Sequence, residues 1–324
     1  MTDRRNRRIV APRRELVGSR VSVSSACSRW AVADFIDWRN PRIVAAVKLH
    51  RAPQRRKTGL FLAEGANSVA AALDTERVEE LFFSGRAAER EHELVASAAA
   101  LGVRTTMVSD RAAEMLGETV TPPGLVAVCR RVDVPLSQVL SGREPGAAAT
   151  TGVSSETAVG VVQPPTRLLA VPVEISDPGN AGTLIRVADA VGANGVVLTG
   201  DSVDPHNGKC VRACAGSLFH VPIARERDID AVLSGLRDAG ITVLATTARG
   251  EVDLDDADEI LRGEGEATGI AWLFGNEAHG LDPAVAARAD HRIRIPIHGR
   301  AESLNLAAAA AICLYASARV QHRA

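Results

Sequence analysis

The sequence predicts an α/β protein with a smaller N-terminal α/β domain and a C-terminal domain built on a mostly parallel sheet. Three observations support this class. The length of 324 residues suits about two domains. Apolar strand-like runs alternate with helical stretches on both sides of residues 136–165, which are rich in Gly, Ala, Ser, Thr and Pro and carry neither period. The composition, 46% hydrophobic and 24% charged, is that of a globular protein. We therefore predict domains at 34–135 and 166–324 joined by a flexible linker at 136–165.

The N-terminal domain is predicted from short alternating elements. A helical face at residues 41–49 is followed by a dense basic turn at 51–57. Strands are then predicted at 60–62, 78–84, 103–108 and 124–132, with an Ala-rich helix ending near residue 73 and another helix at 89–101.

The C-terminal domain shows a clearer alternation. Strands are predicted at 168–173, 196–198, 220–223, 242–246, 270–274 and 292–297, and helices at 181–191, 228–239, 283–289 and 304–318. Continuous apolar strands separated by helices indicate a parallel sheet that is covered on both faces. Such sheets bind ligands at the carboxyl ends of their strands.

The net charge of −1 conceals a strong polarity along the chain. Residues 1–57 hold 15 basic and 4 acidic side chains, a local charge of +11, and the remainder carries −12. This asymmetry favours a polyanionic partner, and a solvated basic tail is the alternative. Residues 1–33 are interpreted as a disordered basic extension. Their Arg-rich, Ser-rich character also resembles an organellar transit peptide.

Several classes of protein are disfavoured. The longest apolar candidate, residues 304–318, is Ala-rich and indicates a buried helix, so we expect no membrane span. The five cysteines form no CxxC pair, which favours a reducing, cytoplasmic compartment and no structural zinc. No His, Cys and Asp cluster has metal-ligand spacing, so we expect no metal. The glycine fingerprint of a dinucleotide-dependent oxidoreductase is also missing.

Three segments carry the chemistry, because each ends a strand and opens a helix with small or polar residues: 177–186 (DPGNAGTLIR), 273–280 (LFGNEAHG) and 295–305 (IPIHGRAESLN). In the first, Asn180 can cap a helix and Arg186 on the next turn suits a phosphate. In the second, Gly275 permits a close backbone approach and Glu277 offers an acceptor. In the third, Ser303 lies at the head of the last helix. Taken singly, each has an alternative explanation in ordinary helix capping or a tight loop.

Together the three segments resemble the SpoU (TrmH-like) family of RNA ribose 2′-O-methyltransferases over about residues 167–319. Residues 39–132 resemble the family's L30e-like substrate-binding domain. The resemblance implies S-adenosylmethionine as methyl donor, an RNA substrate, a deep trefoil knot of the SPOUT class in the C-terminal domain, and a homodimer formed through the knot region. By position it implies catalytic roles for Asn180, Arg186, Glu277, Ser303 and Asn305, and cofactor binding by Thr246, Leu273, Gly275, Ile295, Ile297 and Leu304.

Two positions depart from the family pattern. Ala278 stands where Gly is usual, and Cys214 stands near a usual Ser. Both residues are small, so we expect the protein to tolerate these departures without loss of activity. In the family, Arg186 would correspond to the group that activates the 2′-hydroxyl. Because a guanidinium stays protonated, we favour a phosphate clamp over a general base, with the base as the alternative.

The basic segment is expected to dock RNA phosphates through Arg51, Arg55, Arg56 and Lys57. Aromatic residues make up only 3% of the chain, so we expect backbone and shape readout to exceed base stacking. The favoured substrate is 23S rRNA, in a housekeeping or an antibiotic-resistance role. The alternatives are a tRNA substrate and a non-catalytic RNA-binding or ribosome-assembly protein on the same fold.

Overall fold

A computed structural model describes residues 35–119, 121–141, 167–263 and 268–322. The proposed basic extension at 1–33 and residues 142–165 of the proposed linker lie outside the described residues. From Phe35 onward the chain forms one compact unit. Within that unit the smaller N-terminal α/β part and the larger parallel-sheet part are both present.

The N-terminal part is a four-stranded sheet with helices on both faces. Its sheet order is β1-β4-β2-β3, in which β2 and β3 are parallel and β4 runs antiparallel to both of its neighbours. Its core is filled by Phe61, Phe82 and Phe83, all fully buried. The elements are α1 (Pro41–Val47), α2 (Ala52–Thr58), β1 (Leu60–Glu64), α3 (Ala66–Asp74), β2 (Val78–Phe83), α4 (Gly85–Arg90), α5 (His92–Ala100), β3 (Arg104–Met107), α6 (Asp110–Leu116) and β4 (Leu125–Arg130).

Helix α2 replaces the basic turn predicted at 51–57. Pro53 lies in its first turn, where a missing N–H costs nothing and a fixed φ favours the helix. Gly59 ends it with a left-handed φ of 70°. The prediction of a turn was wrong because the density of charge obscured this Pro-to-Gly pattern.

The C-terminal part is an eight-stranded sheet of order β10-β12-β9-β11-β6-β7-β8-β5, in which every neighbouring pair is parallel. Helices pack on both faces, as the continuous apolar strands predict. The elements are β5 (Asp133–Val134), α7 (Leu136–Ser141), β6 (Arg167–Pro172), α8 (Pro178–Ala190), β7 (Gly195–Thr199), α9 (Gly208–Cys214), β8 (Ile223–Glu226), α10 (Ile229–Asp238), β9 (Ile241–Thr246), β10 (Val252–Asp253), α11 (Asp258–Arg262), β11 (Gly269–Phe274), α12 (Pro283–Ala286), β12 (His291–Arg294) and α13 (Leu306–Gln321).

Several boundaries differ from the prediction; the strand predicted at 292–297, for example, ends at Arg294. The linker predicted to start at 136 begins with α7, whose Val139 is buried, and β5 already belongs to the large sheet. Strand β8 starts at Ile223 rather than at 220, because a short 3₁₀ turn and Pro222 precede it. Helix α9 follows Asn207, whose side chain caps it, and was not among the helices predicted from the sequence.

The last helix, α13, packs against α8 and the centre of the sheet. Trp272 on β11 is fully buried, and its indole Nε1–H donates to Ser317 Oγ on α13 at 2.9 Å. Helix α8 in turn lies close to α9. A Cβ at Gly182 would fall 2.4 Å from the Cys210 carbonyl oxygen, so only glycine allows this approach. Gly182 therefore serves helix packing.

The seam between the two parts is closed by buried polar and aromatic contacts. Arg55 on α2 donates to Asp204 of the large-sheet part at 2.9 Å and to two main-chain carbonyls of its own part. The Phe61 ring lies 4.8 Å from the His206 ring and 5.9 Å from the Phe219 ring, centroid to centroid. Because these groups interlock, the N-terminal part is fixed on the large sheet.

The cysteines that the structure describes are buried, and the described residues contain neither a membrane-spanning helix nor a metal-binding cluster. Cys129, Cys210, Cys214 and Cys313 are buried free thiols. Burial raises the pKa of Cys129 and Cys313 well above the usual range, so these thiols stay protonated and pack as small apolar groups. No helix within the described ranges is long and apolar enough to cross a membrane. Among the same residues, no group of three or more His, Cys, Asp or Glu side chains is placed to hold a metal ion.

Candidate active site

The carboxylate of Glu277 joins the loops that follow β6 and β11. It accepts from the Ser176 N–H and hydroxyl at 3.0 and 2.9 Å, from the Asp177 N–H at 3.0 Å, and from Asn180 Nδ2 at 3.2 Å. Partial burial alone would raise its pKa, but the N–H groups of Ser176 and Asp177 outweigh burial and lower the pKa to about 2. Glu277 is therefore an anion at neutral pH.

Asn305 attaches the third segment to the same cluster. Its Nδ2 donates to Asn180 Oδ1 at 3.1 Å, and Asn180 donates in turn to Glu277. Its Oδ1 accepts from the N–H groups of Ala307 and Ala308 and so caps α13. A single hydrogen-bonded chain, Glu277–Asn180–Asn305, thus joins all three segments singled out in the sequence.

Asp177 performs the capping expected of Asn180. Its Oδ1 accepts from the Asn180 N–H at 2.9 Å, and its Oδ2 accepts from Lys209 Nζ at 2.6 Å. The Lys209 contact, with the N–H of Asn180, lowers the pKa of Asp177. The sequence analysis did not single out Asp177 or Lys209. An Asp directly before Pro178 at the helix start is the signal that identifies the first.

Arg186 and Ser303 are the site residues left for an external ligand. Arg186 is exposed on α8, six residues or about 9 Å along the axis from Asn180. Ser303 is also exposed and does not cap α13, since Asn305 does. Within the part of the chain that the structure describes, neither side chain makes a hydrogen bond or an ion pair. The side-chain amides of Asn180 and Asn305, by contrast, are hydrogen-bonded within the cluster and hold it together.

A cleft of about 150 Å³ lies beside this cluster at the carboxyl ends of β9 and β12. Four of the six predicted cofactor-binding residues line it with Ser303: Thr246, Ile295, Ile297 and Leu304. Leu273 is fully buried and does not line the cleft, but its carbonyl accepts from Thr246 Oγ1 at 2.9 Å. The cleft also includes Ile293 and Glu302, which the sequence analysis did not name.

The lining of the cleft fits the adenosine part of S-adenosylmethionine. Ile297 and Leu304 are each 39% exposed and present apolar surface to the cleft. A flat base lying between them would bury this apolar surface. Thr246, Ser303 and the strand-end backbone supply polar partners at the rim.

Gly275 closes its own loop and is absent from the lining of the cleft. A Cβ there would fall 2.0 Å from the Leu281 nitrogen, because the loop folds back through the paired Asn276 and Gly280. The departure at Ala278 is also explained. Its N–H donates to Asn276 Oδ1 at 2.8 Å, and its φ lies outside the left-handed region that would require glycine.

Glu174, directly after β6, is a site residue that the sequence analysis missed. It has a left-handed φ of 55°, which is rare for a residue other than glycine. This turn directs its carbonyl to Asn276 Nδ2 at 2.7 Å and its N–H to the Thr199 carbonyl at 3.0 Å. No sequence signal marks a Glu with this conformation.

The basic segment divides into exposed and buried residues. Arg51, directly before α2, and Arg56 and Lys57 within it are exposed. Arg55 is only 3% exposed and is paired with Asp204. The expectation that Arg55 docks RNA is therefore corrected, because a phosphate could reach it only by displacing a buried ion pair.

Known proteins share both parts of this architecture. A model of the SpoU rRNA Methylase family matches residues 167–315, and a model of the MRM3-like substrate binding domain matches residues 40–127. The 23S rRNA (guanosine(2553)-2′-O)-methyltransferase RlmP of Bacillus subtilis (strain 168) is 30% identical over 278 residues, which cover 86% of this chain and 96% of that protein. The chain belongs to the SpoU rRNA methylase family.

Solved structures confirm the predicted fold class for this SpoU chain. The AdoMet-bound rRNA methyltransferase from Sinorhizobium meliloti matches with a TM-score of 0.68 and 29% identity, covering 86% of this chain and 95% of that one. The SpoU methyltransferase AviRb from Streptomyces viridochromogenes matches with a TM-score of 0.69 and 25% identity, covering 88% and 98%. The chain is thus an RNA methyltransferase with a SpoU-type parallel-sheet domain and a smaller N-terminal α/β domain.

Proposed function

We propose that this protein transfers a methyl group from S-adenosylmethionine to a ribose 2′-hydroxyl of 23S rRNA in the cytoplasm. The observation that carries the proposal is the Glu277–Asn180–Asn305 chain, which joins three separate segments beside an apolar cleft. The B. subtilis relative, named as a 23S rRNA 2′-O-methyltransferase, supports the substrate and the acceptor atom. The AdoMet-bound S. meliloti neighbour supports the methyl donor.

In this proposal the Thr246, Ile297 and Leu304 cleft holds the cofactor, which supplies an electrophilic methyl group when bound. The protein's own residues position the acceptor hydroxyl for in-line attack and ease the loss of the hydroxyl proton to solvent. The Glu277–Asn180–Asn305 chain fixes the backbone around the reaction site. Ser303 then orients the ribose 2′-hydroxyl, because the Ser303 side chain makes no hydrogen bond to any of the described residues.

Arg186 acts as a phosphate clamp in this mechanism. Its guanidinium carries a permanent charge and makes no ion pair within the described residues, so it is available to a substrate phosphate. A cation beside the reacting ribose also favours the deprotonated hydroxyl. Arg51, Arg56 and Lys57, at and within α2, would hold further phosphates of the same RNA.

We also propose that the protein acts as a homodimer. Helix α13 leaves Ile312 and Tyr315 exposed, at 40% and 67%, and Ala308 lies on the same exposed stripe. A second copy packed on this helix would bury the stripe. Light scattering coupled to size exclusion should give twice the chain mass. Tyr315→Arg should shift the mass towards one chain, and a single-chain mass for the wild type would contradict the dimer.

The central test has two readouts. Calorimetric titration should show S-adenosylmethionine binding, with binding weakened by Leu304→Asp in the cleft and unchanged by Leu101→Asp on the far α5 region. Mapping of 2′-O-methyl groups in RNA from cells with and without the gene should then show one 23S rRNA position that is lost. Loss of a tRNA position instead would identify tRNA as the substrate. Absence of S-adenosylmethionine binding at millimolar concentration would overturn the mechanism.

A further inference from the structure

A larger cleft, of about 840 Å³, lies at the seam between α2 and the carboxyl ends of β7 and β8. It opens on the same edge of the sheet as the reaction site, because the segments after β6 and β7 touch there. The Glu174 N–H donates to the Thr199 carbonyl at 3.0 Å. A Cβ on the next residue, Gly200, would fall 2.6 Å from Glu174 Cγ. The cleft and the reaction site are therefore neighbours on one edge.

Five arginines and four carboxylates line this cleft, and the carboxylates are already engaged. Asp204 is paired with the buried Arg55 at 2.8 Å, and Arg131 holds Asp133 through two hydrogen bonds of 2.9 and 2.7 Å. Asp201 is paired with Arg227, whereas Glu226 accepts only the N–H of Asp228. Three of the four carboxylates are therefore paired with an arginine and Glu226 keeps its charge, so five arginines against four carboxylates leave the lining with one net positive charge.

Arg56 and Arg225 are the arginines of the cleft that make no hydrogen bond to a carboxylate among the described residues. Arg56 is exposed on α2 and has no hydrogen bond or ion pair within the residues that the structure describes. Arg225 on β8 makes only a loose ion pair of 3.7 Å with Asp204 Oδ1, the oxygen that accepts from the His206 N–H, while Arg55 binds the other oxygen. The two arginines belong to opposite walls of the cleft. One wall is the substrate-binding part and the other is the methyltransferase part.

We propose that this cleft seats the RNA strand next to the target nucleotide, with a backbone phosphate held between Arg56 and Arg225. The inference rests on the proposed function and names a binding site outside the reaction site. A guanidinium fork from each wall suits a phosphodiester, which has two unesterified oxygens. The Arg55–Asp204 pair sets the width of the cleft, so the seat selects an RNA shape rather than a base sequence.

The test compares wild type with Arg56→Ala, Arg225→Ala and the double variant. Filter binding with in vitro transcribed 23S rRNA should show affinity reduced about 5- to 10-fold for each single variant. The slope of log affinity against log salt should fall by roughly 0.7 to 0.9 per arginine. S-adenosylmethionine binding and kcat should stay within twofold of wild type, while KM for RNA rises.

Arg237→Ala is the matched control. Arg237 is exposed near the end of α10, which runs back from β8 to the opposite edge of the sheet, so its loss should change neither affinity nor slope. Arg225→Lys should restore part of the affinity, which separates charge from folding. Unchanged RNA affinity and an unchanged salt slope in both alanine variants would overturn the proposal that this cleft binds RNA. RNA binding is measured without methyl transfer, so this outcome is distinguishable from a wild type that binds RNA but produces no 2′-O-methyl group.

Discussion

Replacing Arg55 with Met tests whether this arginine locks the seam between the two parts. Arg55 is 3% exposed, and its guanidinium donates to Asp204 at 2.9 Å and to the carbonyls of Leu49 and His50 at 3.0 and 2.8 Å. Methionine is also unbranched and fills the space of the aliphatic stem without charge, but it does not reach the place of the guanidinium. The substitution therefore removes the polar contacts while it keeps most of the packing.

The magnitude follows from the groups left behind. Removing one partner of a buried ion pair costs about 3–5 kcal/mol. Asp204 keeps its contact with His206, and its side chain is 17% exposed, so the lower end of this range applies. We expect unfolding free energy to fall by about 3 kcal/mol, which lowers Tm by roughly 4–6 °C in a protein of this size. The neighbouring Arg56→Met, on the exposed side of α2, should change it by less than about 0.5 kcal/mol.

Thermal and urea unfolding measure this difference, and its pH dependence gives a second check. Burial would raise the pKa of Asp204, but contacts with His206 and Arg55 outweigh it and hold the pKa well below the usual range. A lowered carboxylate pKa contributes stability above its unfolded value of about 4, and that contribution is lost as pH falls below it. The gap between wild type and Arg55→Met should therefore narrow below about pH 4. Equal Tm values for Arg55→Met and Arg56→Met at pH 7 would refute the locking role.

Three further predictions concern the reaction site and the last helix. Glu277→Gln should lower methyl transfer at least tenfold. It should also lower the unfolding free energy by about 1 kcal/mol, because the glutamine NH₂ group would face the N–H donors that the carboxylate of Glu277 accepts from. Since the pKa of Glu277 is lowered to about 2, its stabilising contribution should be lost in wild type as pH falls from about 4.5 towards 2, and not in Glu277→Gln, as followed by acid titration of Tm. Arg186→Lys should retain partial activity with a higher, more salt-sensitive KM for RNA; unchanged kcat and KM would contradict both the clamp and the base. Ser317→Val should leave the buried Trp272 N–H without its partner and lower the unfolding free energy by about 1–3 kcal/mol, and an unchanged denaturant midpoint would count against that bond.

The sequence predicted the parallel sheet because that information is local. Apolar runs such as residues 269–274 reveal buried strands, and Gly, Asn and Asp mark the loops at their ends. It also singled out Glu277, Asn180 and Asn305, which the structure joins into one hydrogen-bonded chain. Their mutual contacts could not be predicted from spacing alone. They depend on strand order, which brings the ends of β6 and β11 together across about 100 residues of chain.

Arg55 and Arg56 show why the rest could not be predicted. The two are adjacent, identical and part of one basic run, yet one is buried and the other exposed. Which of them turns inward depends on α2 being a helix and on Asp204, 149 residues away, lying beneath it. Charge density in a sequence predicts an electrostatic surface, whereas the fate of one arginine in the run depends on tertiary contacts.

The same seam explains how recognition can be coupled to catalysis without a moving part. Arg55–Asp204, the Phe61 ring contacts and the pairing of Arg212 with Glu64 across the seam hold α2 at a fixed position above the sheet. The exposed cations of α2 therefore lie at a constant offset from the reaction site. In the proposed function, an RNA that places one phosphate on α2 would present a ribose at that offset to Ser303. Specificity would then come from the distance that a folded RNA imposes between two of its nucleotides, and loosening the seam should relax site choice before it abolishes methyl transfer.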